Sequence, residues 1–129
     1  MPVRSLNSPV LTWPRADEVD GAVRDWAVRI ATSRPELLRA GYFGSYARGD
    51  AGVGSDLDII VVAESAPRRF ELRRKGWRTT TLPVPVDLLV YTQDEFDRLR
   101  ARGRFARVLS SETVWVYIRD QSHPAAASR

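Results

Sequence analysis

The chain contains no cysteine, one histidine and one methionine in 129 residues. Without cysteine it has neither a disulfide framework nor a thiolate metal site. Its cohesion must come from an apolar core, and this length supports one domain without covalent staples. The single histidine, His123, sits in the small-residue tail with no partner in sequence and is expected to be inert. No apolar run reaches the ~18 residues of a membrane span, so no membrane is expected among the partners. Met1 to Ser8 lacks the apolar stretch of a secretion signal. Together these set the expectation of a cytoplasmic protein. Charge is the one composition signal left. The net charge is +4, most of the basicity is arginine, and the pI is about 10.1. That favours an anionic partner such as a nucleotide, a phosphorylated substrate or RNA, and does not choose among them.

Hydrophobic periodicity organises residues 15–119 into one domain, with an irregular segment at 1–14 and a tail at 120–129 expected to be disordered. Val19, Ala22, Val23, Trp26, Ala27 and Ile30 recur at helical spacing, which predicts an amphipathic helix over 17–31 ended by Ser33-Arg34-Pro35. Residues 36–43 read as a first strand and Ser45 to Arg48 as a short helix after a Gly44 turn. Residues 50–55 read as a glycine-rich loop. Leu57 to Ala63 is apolar on both faces, as a central strand should be. Val86 to Tyr91 is another strand. Thr92 and Glu95 form a capping box opening a helix to about Arg102, with Phe96 and Leu99 inward and Gly103 at its end. Thr113 to Ile118 reads as the last strand. The pattern predicts an α/β (α+β) fold, a mixed central sheet flanked by helices.

Residues 64–82 are harder to read. Within them, the stretch 68–78 carries Arg68, Arg69, Arg73, Arg74, Lys75 and Arg78 against Glu71 alone, with Phe70 and Trp77 between them. Three readings are open. The segment is a solvated helix whose apolar face is Phe70, the Arg74 stem and Trp77; or it contacts RNA or an acidic protein; or it closes over a triphosphate.

The chemistry concentrates in G-S-Y-A-R-G-D-A-G-V-G-S-D-L-D, Gly44 to Asp58, and in Asp87 within V-P-V-D-L-L-V. Asp56 and Asp58 are two apart, so on an extended chain they share a face. Carboxylates crowded at the mouth of a buried strand repel each other and resist desolvation. Folding alone gives no reason to place them there. A divalent cation does, because Mg²⁺ takes carboxylate oxygens together with phosphate oxygens of a substrate. The Gly44-Ser45 turn can offer backbone N–H groups and a hydroxyl to those phosphates. Arg48 either reaches a phosphate or pairs with an acid to hold the loop. Ser55 caps the turn before Asp56. Metal carboxylates beside a phosphate-binding turn point to phosphoryl or nucleotidyl transfer.

Gly44-Ser45-Tyr46-Ala47-Arg48-Gly49, then Ser55-Asp56-Leu57-Asp58, then Asp87 resembles the signature of the polymerase-β-like nucleotidyltransferase superfamily, in the style of its minimal, antitoxin-like members. The resemblance covers residues 37–91 well and 114–117 more loosely. It implies a palm-like fold and two Mg²⁺ ions held by Asp56, Asp58 and Asp87, with Asp87 serving the ion that activates the attacking hydroxyl. It places Gly44, Ser45, Arg48 and Ser55 around the nucleotide. The implied reaction moves an NMP, AMP from ATP in the first instance, to a hydroxyl of a protein or small molecule and releases pyrophosphate. It also implies a helical HEPN-type protein as a possible partner. The competing reading is a catalytically silent module of the same fold that binds a partner or nucleotide, as an antitoxin would.

Overall fold

The computed structural model describes residues 13–101 and 103–119. The expectations for residues 1–12, Arg102 and 120–129 therefore lie outside the described residues. The elements run α1 (Ala16–Ser33), β1 (Leu37–Phe43), α2 (Ser45–Arg48), β2 (Leu57–Ala63), α3 (Phe70–Arg73), β3 (Val86–Thr92), α4 (Gln93–Arg100), α5 (Arg104–Glu112) and β4 (Val114–Ile118). The four strands form one mixed sheet in the order β3-β2-β1-β4. β1 runs antiparallel to both β2 and β4, whereas β2 and β3 are parallel. Among the described residues no helix is long and apolar enough to cross a membrane.

β2 has an apolar residue at nearly every position because both its faces are covered. Leu57, Ile59, Val61 and Ala63 join Val19, Val23, Trp26, Ala27 and Ile30 of α1 in the larger core. Ile60 and Val62 point the other way, against Phe96 of α4 and Leu109 of α5. The period of two sends alternate residues to opposite helical layers. Asp58 therefore shares the face of Ile60 and Val62, the α4–α5 side.

The helix starts follow local chemistry. At α1 the Arg15 N–H donates to Glu18 Oε1 at 2.8 Å, and Asp17 and Glu18 lie in the first turn, where the helix dipole favours acids. At α4 both halves of the expected capping box form. The Glu95 N–H donates to Thr92 Oγ1 at 3.3 Å, and the Thr92 N–H donates to Glu95 Oε1 at 2.9 Å.

Two sequence expectations change. Residues 104–112 carried no assignment, yet they form α5, with Ala106 and Leu109 buried. Gly103, at φ 89°, serves as the N-cap of α5. The basic segment is not a continuous solvated helix either. Only the single turn Phe70–Arg73 is helical. Phe70, expected to face inward, is 56% exposed, while Trp77 is buried with the Arg34 guanidinium 4.3 Å from its ring centre.

Arg73 is the larger surprise. It is 3% exposed and forms a two-pronged pair with Glu95, Nη1 to Oε1 at 2.6 Å and Nη2 to Oε2 at 2.9 Å. Its remaining donors reach the carbonyls of Val90 at 3.0 Å and Pro67 at 2.5 Å. The guanidinium thereby joins the 67–73 segment, the edge strand β3 and the start of α4. The bond to Arg73 is the main reason the Glu95 carboxyl is held down to about 2.

Removing Arg73 leaves the Val90 and Pro67 carbonyls without their donor and the partly exposed Glu95 carboxylate without its partner. Arg73→Met should lower stability by about 1–3 kcal/mol, and Glu95→Gln, which leaves the buried guanidinium without its counter-charge, should lower it by more. Because the folded Glu95 value is depressed, its contribution is present above the ordinary carboxylate value of 4.5 and fades as pH falls toward about 2. Urea unfolding of both variants from pH 7 to pH 2.5 checks the size and the sign.

Candidate active site

The site lies where β1 ends and where β2 and β3 begin. Parallel pairing sets Asp58 directly opposite Asp87, in the same register that pairs Ile60 with Leu89. In-register residues of parallel strands point to one face, so the two carboxylates lie side by side on the α4–α5 side. Asp56, exposed, immediately precedes β2. Asp58 is half-buried, and its carboxyl is raised above the usual range of 3.8. Burial is the largest cause, followed by repulsion from Asp87 and then from Asp56, with Arg48 opposing the rise and Glu112 adding to it. Asp87 and Asp56 therefore both act electrostatically on Asp58.

Phe43 is the antiparallel partner of Asp58, so Gly44 turns away from the sheet beside that carboxylate. Gly44 adopts φ 79°, ψ −150°, a conformation that essentially only glycine tolerates. A Cβ there would sit 2.3 Å from Asp58 Oδ2. Gly44 occupies the N-cap position of α2 and Ser45, half-buried, is its first helical residue.

Arg48 takes the loop-holding option, since its Nε reaches Asp50 at 3.2 Å and its Nη1 reaches Glu112 at 3.3 Å. Ser55 closes the glycine loop, accepting the Gly52 N–H on its Oγ at 2.9 Å and donating its own N–H to Gly52 O at 3.0 Å. The Tyr46 hydroxyl, which accepts from Trp13 Nε1 at 3.0 Å, ties α2 to the chain before α1.

Sequence reasoning missed Glu112. It ends α5, and its Oε2 accepts the Gly44 N–H at 2.9 Å. A signal existed in the spacing of Phe105, Ala106, Leu109 and Glu112, which places all four on one side of a helix. Without that helix, Glu112 reads as a surface acid before the last strand.

One cleft adjoins the site at Asp87, and a second lies beyond it toward the end of β3. The first, of about 230 Å³, runs along the outer edge of β3, lined by Asp87, Leu88, Leu89 and Val90 on one wall and Phe70, Glu71, Arg73 and Arg74 on the other. The second, larger at about 540 Å³, lies across Phe70, between Tyr91, Glu95, Arg98, Leu99 and Gly103.

A mixed four-stranded sheet with helices on both faces and acids at one strand end is the nucleotidyltransferase fold. The chain belongs to the family defined by the nucleotidyltransferase domain, whose model matches residues 25–116. No curated protein matches the sequence. Solved structures do. One, from Sulfolobus solfataricus and described as a nucleotidyltransferase by provisional assignment, is 24% identical, covers 85% of this chain and 93% of its own, and has a TM-score of 0.58. A toxin–antitoxin structure with AMP-PNP is 20% identical, covers 81% of each chain, and has a TM-score of 0.54. A mutant toxin–antitoxin MntA–HpeT structure is 17% identical, covers 81% of this chain and 80% of its own, and has a TM-score of 0.52. At these identities the likeness is one of fold.

The family generally uses a divalent metal. Among the described residues no three acidic or histidine side chains are gathered into a ready cage for one ion. The donor set nevertheless fits Mg²⁺, which is habitually held by one or two carboxylates with the remaining oxygens from substrate phosphates and water. Asp58 and Asp87 supply the adjacent pair, and the repulsion that raises the Asp58 carboxyl is what a cation between them would relieve.

Gly44 and Gly49 allow a controlled test of how tightly the turn packs on Asp58. Both have positive φ, but nothing lies within 4 Å of a Cβ at Gly49. Gly49→Ala should cost about 1–2 kcal/mol for left-handed backbone alone. Gly44→Ala should cost clearly more, because its backbone conformation is more restricted than that of Gly49 and Asp58 must also move. Equal losses in urea unfolding would show that the turn does not pack on the carboxylate.

Proposed function

We propose that this protein is a Mg²⁺-dependent nucleotidyltransferase that moves an NMP, AMP from ATP in the first instance, to a hydroxyl of a protein partner. The observation that carries the reading is the pairing of Asp58 with Asp87 across β2 and β3, beside a glycine turn packed on Asp58. The bound cations would be held by Asp56, Asp58 and Asp87, and would supply charge stabilisation at the attacking and leaving oxygens. Gly44 and Ser45 approach the β- and γ-phosphates, the glycine by lacking a side chain and the serine through its hydroxyl. Asp87 lies at the open edge of the sheet and accepts the proton of the acceptor hydroxyl as its oxygen attacks the α-phosphorus. The bond from that phosphorus to pyrophosphate breaks. Arg48 and Ser55 hold the loop that frames the nucleotide.

Two features support a protein acceptor. The cleft beside Asp87 is walled by the exposed ring of Phe70 and by the backbone edge of β3, a surface suited to a polypeptide segment. Two of the similar structures are toxin–antitoxin structures, which supports a partner encoded beside this chain, a helical HEPN-type protein being the first candidate. RNA has weaker support, since only the exposed cations Arg68, Arg69, Arg74, Lys75 and Arg78 speak for it.

The direct experiment incubates the protein with labelled ATP, Mg²⁺ and the product of the neighbouring gene, and follows label on protein and pyrophosphate release. Wild type should label the partner, and Asp58→Asn and Asp87→Asn should each abolish labelling. Transfer of undiminished rate in either variant would overturn the reading, and nucleotide or partner binding without any transfer would favour the silent module.

Asp58→Asn should also leave the metal-free protein at least as stable as wild type at pH 7. The folded Asp58 value is raised, so wild type is favoured below the ordinary carboxylate value of 3.8 and loses stability as pH rises through the raised value. The asparagine variant escapes that loss. Thermal melts in EDTA at pH 3.5 and pH 7 check the crossover.

The basic rim gives a separate prediction, and buried Arg73 must be left out of it. Arg74→Ser with Lys75→Ser alters two exposed residues, so stability should change by no more than about 0.5 kcal/mol each. ATP affinity should hold, while labelling of the partner falls and becomes less sensitive to salt. Lost ATP affinity in the absence of partner would mark the segment as a triphosphate lid.

A further inference from the structure

Glu112 lies outside every motif, yet it holds a backbone N–H and a guanidinium that both neighbour Asp58. Its carboxylate is 18% exposed and accepts both the Gly44 N–H, at 2.9 Å, and Arg48 Nη1, at 3.3 Å, on the same oxygen. Two general effects oppose an acid in this place. Glu112 is the last residue of α5, where the helix dipole disfavours negative charge. It also adds to the repulsion on Asp58. The hydrogen bonds to Gly44 and Arg48 are what offset both.

Both donors neighbour Asp58. The Gly44 backbone is packed against Asp58 so closely that even a Cβ would strike Oδ2. The Arg48 guanidinium already attracts Asp58 electrostatically. Its other partner, Asp50, forms an exposed pair that solvent screens. A backbone N–H or a guanidinium bonded to Asp58 would take up carboxylate lone pairs that a cation needs, and a guanidinium binds a carboxylate strongly.

We propose that Glu112 is a positioning residue that withholds the Gly44 amide and the Arg48 guanidinium from Asp58, leaving Asp58 and Asp87 free to take a divalent cation. This rests on reading the acids as cation ligands. Glu112 touches no substrate in this account and acts through the two groups it holds. The requirement is for an acceptor at this point, and the negative charge is secondary. That distinction makes the idea testable, because glutamine keeps the acceptor oxygen and loses the charge.

The test titrates Mn²⁺, as the probe cation, into the full-length chain by water-proton relaxation. It compares wild type, Glu112→Gln, Glu112→Ala, and Glu112→Ala combined with Arg48→Ala. Glu112→Gln should stay close to wild type. Glu112→Ala should lose about 10–100-fold in Mn²⁺ affinity, the range for groups that orient a metal's ligands. Adding Arg48→Ala should restore much of that loss, since the competing cation is gone. A metal-independent readout accompanies it, the Gly44 amide proton in ¹H–¹⁵N spectra, which should shift in Glu112→Ala and hold in Glu112→Gln.

Equal weakening by glutamine and alanine would overturn the proposal in favour of a simple charge effect. Weakening that follows lost thermal stability and is not restored by Arg48→Ala would overturn it in favour of a packing role. If Mn²⁺ binds wild type and Glu112→Ala alike, only this proposal fails. If wild type binds no Mn²⁺ either alone or with inorganic pyrophosphate present, the cation reading of the acids fails and takes this proposal with it.

Discussion

The parallel register between β2 and β3 is the constraint on which the rest depends. It pairs Asp58 with Asp87 and, through the same ladder, Ile60 with Leu89 and Val61 with Val90. Strand side chains alternate, so a slip of one residue would send the acids to opposite faces and turn the core residues of β3 outward. Core packing and site assembly therefore select one register between them. Parallel strands cannot be joined by a tight turn, and the crossover from Glu64 to Pro85 is the length of chain this pairing requires. Arg73 bonds the carbonyl of Val90 from inside that crossover and pairs with Glu95 just beyond β3. One buried guanidinium thus anchors the connection to the strand whose register matters.

The acids sit at that point against the interest of the fold. Burial and two like charges raise the Asp58 carboxyl, so the folded chain without a cation carries a local electrostatic cost. Among the causes at Asp58 only the Arg48 charge opposes that cost, and the carboxyl stays raised despite it. The chain supports the site by making its surroundings stiff. Gly44 abuts Asp58 with no side chain to spare, Glu112 fixes the Gly44 amide, and Ser55 closes the loop leading to Asp56. Each support comes from a different element, so the site is held by the fold as a whole and not by the motif alone.

What could be read in the sequence divides along physical lines. β2 was legible to the residue because seven successive positions are fixed by burial on two faces. α1 and the Thr92–Glu95 cap were legible because their signals are local, periodic in one case and a four-residue pattern in the other. The adjacency of Asp58 and Asp87 was suggested by resemblance, and the register supplies its geometry. α5 was missed because nine residues with two serines near the end gave too short a period to compete with the strand that follows. Glu112 was lost with it, and no local signal could have joined it to a glycine 68 residues away. Arg73 was misread for a related reason. Burial of a guanidinium is decided by its acceptors, and its best one, Glu95, lies 22 residues on.

The arginines show how far composition can mislead about function. A net charge of +4 invites the reading of an anion-binding surface. Yet Arg73 is spent inside the fold, Arg34 lies over Trp77, and Arg39 lies 5.1 Å from the ring centre of Trp115. Arg69 is bound to Glu71, and Arg48 to Asp50 and Glu112. Planar, weakly hydrated guanidinium groups serve well as packing and bridging groups, so an arginine-rich chain can be basic for structural reasons. The surface argument then rests on position and not on count. The proposed docking surface beside Asp87 is argued from Arg74 bordering the same cleft as an exposed phenylalanine and the outer edge of a strand. A diffuse excess of charge would have pointed nowhere; in the proposed reading the place that matters is the single exposed Arg74, which shares its wall with Glu71 and lines the same cleft as Asp87.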